Sequence, residues 1–137
     1  HGGEEGASAE WLAGIDGYDL VLLDLPLGMA PVIPCRRLLV VNADANCHVR
    51  LHRHPWAADE RLLVTQFSSQ RALQQGLLDL WLAGGLPLLN LHLHRDEAMA
   101  EAMAAKLPVG RYAPTSLVAH ELAALATWCL AEGEAPR

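Results

Sequence analysis

Four short apolar runs, each closed by a polar residue, constrain the fold of this chain more than any other feature. The runs are DLVLLDLP at 19–26, LLVVN at 38–42, LLVTQ at 62–66 and LPLLNLHLH at 86–94. Their length and the flanking glycines and prolines predict strands. Because the apolar residues are continuous rather than alternating, the strands are predicted to be buried on both faces, as in a parallel sheet.

Helical patterns separate and follow these runs. The first occupies 68–85, with Ser68 or Ser69 as its predicted cap, Gly84 as its stop and one apolar stripe formed by Leu73, Leu77, Leu80 and Trp81. A second occupies 96–106 and places Met99, Ala102 and Met103 on a stripe that is predicted to pack in the core. A third occupies 116–130, with Val118, Leu122, Leu125 and Cys129 at helical spacing.

The alternation of strands and helices predicts an α/β fold, with a mostly parallel sheet flanked by helices. The length of 137 residues predicts a single domain over 1–137, and the composition of residues 1–10 predicts a flexible start. A hydrophobic content of 52% excludes a disordered chain.

Charge and cysteine content exclude several classes of function. With a net charge of −6 and no basic face, the chain is not expected to bind nucleic acid. No apolar run reaches the roughly 18 residues of a transmembrane helix, and the chain does not open with a signal peptide. Cys35, Cys47 and Cys129 are odd in number and scattered, which predicts reduced thiols in the cytoplasm.

The four predicted strands end alike, at Asp24, Asn42, Gln66 and His94. Ligands of open parallel sheets bind beyond the carboxyl ends of the strands, so a shared polar edge predicts a ligand site there. We also expect Asn42, Asp44 and Asn46 to line this edge beside Asp24. The plainer alternative is that polar residues simply occupy the loops in which strands end.

Asp24 follows an apolar run, as does the Walker B acid that holds Mg²⁺ in P-loop enzymes. A P-loop requires G-x-x-x-x-G-K-[ST], and the single lysine of the chain, Lys106, lies in AAKLPVG. On its own, the chain is therefore not expected to hydrolyse ATP.

Four segments closely resemble the BcsQ (YhjQ) family, MinD/ParA-like P-loop proteins of bacterial cellulose secretion. These segments are YDLVLLDLP, VVNADANCHVRLH, HRDEAMAEAMAAKLPVGRY and SLVAHELAALATWCL. The resemblance runs from Tyr18 to about Leu130 and concerns the C-terminal part of the family, without its P-loop segment. It also departs from the family between Pro26 and Leu38, where a short segment with two prolines replaces a longer helix.

The resemblance implies ATP and Mg²⁺ as cofactors and a role for each matching residue. Asp24 corresponds to the Walker B acid, catalytic and metal-binding, and Leu25 and Pro26 begin its switch region. The residues that correspond to nucleotide contacts are Asn42, Gln66 with the following Phe67 and Ser68, His94, Arg95, Asp96 and Glu97. The family further implies a homodimer at the inner membrane surface that binds other subunits of the cellulose synthase complex.

Two alternatives remain open from the sequence. The chain is a portion of an ATPase of this family, or it is a nucleotide-free scaffold that keeps only the partner-binding surface. A more remote option is a metal site built from Cys47, His48, His52 and His54. Without a P-loop strand between them, residues 20–24 and 38–42 would have open edges, which direct pairing, a second copy or an N-terminal half supplied in trans would cover; we expect direct pairing or a dimer.

Overall fold

The computed structural model describes residues 9–26 and 28–133. It contains two compact units, one formed by the segments up to Arg36 and from Trp128 onward, the other by Arg37–Thr127. In chain order the elements are α1 (9–13), β1 (Arg37–Asn42), α2 (Ala45–His52), β2 (Glu60–Phe67), α3 (Ala72–Ala83), β3 (Leu88–His94), α4 (Glu97–Ala104), α5 (Val109–Tyr112) and α6 (Leu117–Gly133).

The second unit contains a three-stranded sheet in the order β1-β2-β3, and both strand pairs are parallel. The predicted α/β class is therefore confirmed. β2 is the central strand, and its consecutive residues Leu62, Leu63 and Val64 are all at most 2% exposed. Since neighbouring residues of a strand point to opposite faces, this run is buried on both sides, as its continuous apolar sequence predicted.

The first predicted strand, 19–26, is wrong. These residues form no strand in the structure, and four of their apolar side chains are exposed: Leu20, Val21, Leu22 and Leu25. An apolar run becomes a strand only when a neighbour takes its backbone N–H and C=O groups, and no described residue does so. The expected direct pairing of 20–24 with 38–42 is therefore also wrong.

One apolar cluster packs α2 and α3 against the sheet. Its members from the helices are Leu51, Leu77, Leu78 and Trp81, and Leu62, Val64 and Phe67 join them from β2. The predicted stripe of α3 was half wrong, because Leu73 and Leu80 are exposed while Gln74 and Leu78 are buried. The predicted serine cap is wrong too: α3 begins after Arg71 without a side-chain cap, whereas Gly84 ends it as expected.

A second cluster joins the last three helices. Ala102 of α4, Val109 of α5 and Val118 of α6 form it, with Met99 and Leu122 packed against them. Met103 is 74% exposed, so the prediction of a two-methionine core stripe holds for Met99 alone. No helix in the described ranges is long and apolar enough to cross a membrane.

A partly buried hydrogen bond links α2 to α3. The indole Nε1–H of Trp81 donates to Nδ1 of His48 at 3.0 Å, across 33 residues of sequence. Trp81 is only 2% exposed, so no solvent replaces this acceptor if it is lost. We expect His48→Ala to lower the free energy of unfolding by about 1–3 kcal/mol, since a buried donor without a partner costs that much. Urea denaturation measures the difference.

The control for this prediction is His52→Ala, which removes the exposed ring that meets His48 edge to face at 4.5 Å but leaves the hydrogen bond to Trp81 in place. In a Trp81→Phe background the donor is absent, so His48→Ala is then expected to cost little. Equal losses from His48→Ala in both backgrounds would show that packing, not the hydrogen bond, carries the effect.

Candidate functional site

The carboxyl ends of the three parallel strands lie at one edge of the sheet. Asn42, the last residue of β1, is paired in register with Thr65, and Phe67 at the end of β2 is paired with His94 at the end of β3. The structure thus brings Asn42, Gln66 and His94 to one edge, as the shared strand endings predicted. We call this the carboxyl edge.

The polar residues that follow β1 start a helix. The side chain of Asp44 accepts the backbone N–H of Cys47 at 2.8 Å and caps α2, while its own N–H donates to the Asn42 carbonyl. Asn46 is exposed within α2. The carboxylate of Asp44 is thus engaged by the helix that follows β1, and the expectation that these three polar side chains line the edge beside Asp24 stays a prediction. Burial, and then the Asp44 charge, raise the pKa of the Cys47 thiol.

Gln66 has a left-handed backbone conformation, with φ of +52°. His92 pairs with Val64 and His94 pairs with Phe67, so β2 advances by one residue more than β3 between these two pairs. The extra residue forms a bulge in β2. A non-glycine residue in this conformation costs free energy and persists only where its surroundings enforce it. The strain lies beside the carboxyl edge and leaves the Gln66 side chain exposed.

His94 is held by a glutamate that the sequence did not reveal. The Oε2 atom of Glu121 accepts the His94 backbone N–H at 2.8 Å, and Oε1 makes a short hydrogen bond with its Nδ1. Glu121 lies on α6, 27 residues further along the chain. Nothing in the sequence around Glu121 indicates this contact, because it depends on the fold bringing α6 to the end of β3.

Hydrogen bonds hold the loop after β3 at both of its ends. The Arg95 N–H donates to the Phe67 carbonyl at 2.9 Å, which extends the contact between β2 and β3 past the last strand residue. Asp96 accepts the N–H of Ala98 at 2.9 Å and that of Val118 at 3.3 Å. Its two oxygens therefore cap α4 and bind the start of α6.

Two of the predicted contact residues remain available in this loop. The side chains of Arg95 and Glu97 are exposed, Glu97 as the first residue of α4. The carboxylate of Asp96 is instead engaged in the helix contacts described above.

Asp24 lies in the first unit, where it is exposed and does not end a strand. Its assignment as a magnesium ligand stays a prediction. Within the part of the chain that the structure describes, no three His, Cys, Asp or Glu side chains are grouped so as to hold a metal ion.

The histidines of the remote metal option are used in the fold. The Nδ1 atom of His48 accepts the Trp81 indole N–H, so the neutral ring carries its hydrogen on Nε2 and offers no lone pair to a metal. The Nε2 atom of His54 is bound to the buried carboxylate of Glu60 at 2.9 Å. The option of a metal module therefore loses two of its proposed ligands.

His92 is a partly buried neighbour of His94 on β3. Its ring lies 5.4 Å from that of Phe67, and its Nδ1 is a buried atom without a hydrogen-bond partner among the described residues. Burial lowers the pKa of His92 below its ordinary value of 6.5, and the nearby His94 lowers it further. The neutral ring is thus the form that the folded chain favours.

The stability of the chain is expected to fall as the pH drops below about 6.5, in part through His92. Below that pH the unfolded chain binds a proton at His92 more readily than the folded chain does, so acid favours unfolding. Urea denaturation at neutral and mildly acidic pH measures the slope. His92→Gln is expected to reduce it, whereas His52→Gln, which changes an exposed ring, serves as the control. An unchanged slope in His92→Gln would contradict the prediction.

Comparison with known proteins places the chain in a family. The profile of CBP_BcsQ, Cellulose biosynthesis protein BcsQ, matches residues 5–130. Identity is 41% over 134 residues to Cellulose biosynthesis protein BcsQ of Salmonella typhimurium, covering 93% of this chain and 54% of that protein. It is 40% over 119 residues to Putative cellulose biosynthesis protein BcsQ of Escherichia coli K12, covering 82% and 49%. The chain spans about half the length of these relatives, and it belongs to the BcsQ family of cellulose biosynthesis proteins.

Proposed function

We propose that the chain is a portion of a MinD/ParA-type ATPase that helps to assemble or localise the bacterial cellulose synthase secretion complex. The family membership supports the link to cellulose, because the relatives are named for its biosynthesis. Nucleotide binding is supported by the carboxyl edge. There the strained Gln66 lies between Asn42 and His94, whose orientation is fixed by Glu121. Strain of this kind is typical of ligand sites, and this edge is where parallel sheets bind nucleotides.

The described residues fit the base of a nucleotide better than its phosphates. Amide, imidazole and guanidinium groups of Asn42, Gln66, His94 and Arg95 supply donors and acceptors at the carboxyl edge. Phosphates require backbone N–H groups of a glycine-rich loop and a lysine, and Lys106 instead follows the cap of α4 in a left-handed conformation. Asp24 would hold Mg²⁺, which neutralises phosphate charge in such enzymes.

The free edge of β1 supports association with a further strand. Among the described residues β1 pairs with β2 alone, and its Val40 is 55% exposed. Unpaired strand edges recruit other chains. The edge is suited to a strand from the part of the family outside this chain, or to a second copy in a homodimer.

The proposal extends to place and partners. The protein acts in the cytoplasm, at the surface of the inner membrane, and binds other subunits of the cellulose synthase complex rather than nucleic acid. The net charge of −6 disfavours nucleic acid as the partner.

A nucleotide-free scaffold is the second candidate. It is favoured by the structural use of Asp44 and Asp96, whose carboxylates are engaged in capping helices. The two candidates differ in whether side chains at this edge matter to the function of the protein while the fold is kept.

The isolated chain is expected to release no phosphate from ATP in the presence of Mg²⁺. Positioning and charge neutralisation of the phosphates carry most of the catalysis of phosphoryl transfer, and the chain has no P-loop to provide them. A phosphate-release assay measures this directly. Turnover that disappears in Asp24→Ala would overturn the expectation, because it would locate a catalytic centre within these residues.

Gln66→Gly tests the proposed function in a bacterium that makes cellulose with this protein. Glycine adopts a φ of +52° without strain, so the variant is expected to fold while losing the exposed side chain at the carboxyl edge. We expect cellulose, measured as glucose after cellulase digestion, to fall several-fold. Gln70→Gly makes the same change at an exposed turn and is the control. Undiminished cellulose in Gln66→Gly would favour the scaffold.

A further inference from the structure

Glu121 holds both the backbone and the ring of one residue. Its Oε2 atom takes the His94 N–H at 2.8 Å, and its Oε1 atom takes Nδ1 of the same residue. The glutamate side chain is largely buried, and that of His94 is one-third exposed. The ring cannot turn about its side-chain bonds without breaking the second contact, so its orientation at the carboxyl edge is set by α6.

This contact also decides which ring nitrogen carries hydrogen. A carboxylate only accepts hydrogen bonds, so Nδ1 of His94 is the protonated nitrogen. In the neutral ring the lone pair then resides on Nε2, on the far side of the ring. Within residues 9–26 and 28–133, Nε2 has no hydrogen-bond partner, and it is not among the buried unpaired atoms. It is therefore an acceptor that is open to solvent.

The surroundings of His94 keep this arrangement rigid. The Phe67 ring meets it edge to face at 5.3 Å, and the next residue, Arg95, is bound through its N–H to the Phe67 carbonyl. Asp96 fastens the following turn to α4 and to α6. A group whose neighbours fix its orientation loses little freedom when a ligand binds, so the acceptor is preorganised.

We propose that Glu121 is a positioning residue that fixes the Nδ1–H tautomer of His94, so that Nε2 accepts a hydrogen bond from the exocyclic amine of an adenine base. This inference rests on the proposed function, in which a nucleotide base lies at the carboxyl edge. It adds Glu121, which lies outside the loop after β3, and it gives a physical reason why the site would prefer adenine to other purines.

The chemistry of the purines gives the preference its direction. Adenine carries an amino group at position 6, whereas hypoxanthine and guanine carry a keto oxygen there. A lone pair on Nε2 attracts the amine and repels the oxygen. Sites that form a hydrogen bond with one ligand reject an analogue that leaves the bond unmade.

The first test reads the tautomer in the full 137-residue chain by ¹⁵N NMR of the imidazole nitrogens at neutral pH. His94 is expected to show a protonated Nδ1 and an unprotonated Nε2. In Glu121→Gln, which weakens the acceptor, we expect a mixture of tautomers. Glu101→Gln removes the same charge from the exposed face of α4 and is expected to leave His94 unchanged. A hydrogen on Nε2 in the unaltered chain refutes the inference.

The second test compares AMP with IMP, which differ at the amino group, by titration followed through amide chemical shifts. This readout detects weak binding. We expect AMP to bind roughly tenfold more tightly, the share of one hydrogen bond, and the ratio to approach one in Glu121→Gln. Circular dichroism checks that the variant folds. If it does not fold, the inference is judged on the unaltered chain alone, from the tautomer of His94 and the ratio of its affinities for AMP and IMP.

The outcomes separate this inference from the proposed function. Equal binding of AMP and IMP by the unaltered chain refutes the role of Glu121 and leaves a nucleotide site in place. Binding of neither refutes the proposed nucleotide site, and the inference falls with it. A preference for AMP that persists in Glu121→Gln, with the tautomer unchanged, shows that another residue selects the base.

Discussion

The burial of β2 between two parallel neighbours is the constraint on which the rest of the described sheet depends. Its backbone groups are paired on both sides, and Leu62, Leu63 and Val64 fill both faces. A central strand of this kind fixes the register of β1 and β3, so their carboxyl ends meet at one edge. The carboxyl edge is a consequence of that pairing and not of any local motif.

Carboxylates hold this edge together. Asp44 caps α2, Asp96 caps α4 and binds the start of α6, and Glu121 clamps His94. Each accepts backbone N–H groups that would otherwise lack a partner where a strand gives way to a helix. With these groups satisfied, the exposed side chains at the edge include the amides of Asn42 and Gln66 and the charged groups of Arg95 and Glu97. These side chains suit a ligand that carries both hydrogen-bond donors and hydrogen-bond acceptors.

Local sequence patterns predicted three strands correctly. They failed where the outcome depends on a pairing strand or a packing neighbour. Three apolar runs form strands because each pairs with a neighbouring strand, whereas 19–26, which is also rich in leucine, pairs with no strand among the described residues. The buried face of α3 was misjudged because Leu73 and Leu80 fit a helical stripe as well as Leu78 does. Periodicity shows that a helix has an apolar side, and only its contact with the sheet selects which side is buried.

The sequence by itself determined the α/β class, three of the strands, the helices between them, the polar strand ends and the family. These follow from the length and continuity of apolar runs and from turn residues, which act over a few neighbours. Only the tertiary structure decided that Asp96 also binds the start of α6, that Gln66 is strained, and that Glu121 holds His94. Those facts depend on contacts across up to 27 residues of sequence, and local composition carries no record of which distant side chain arrives.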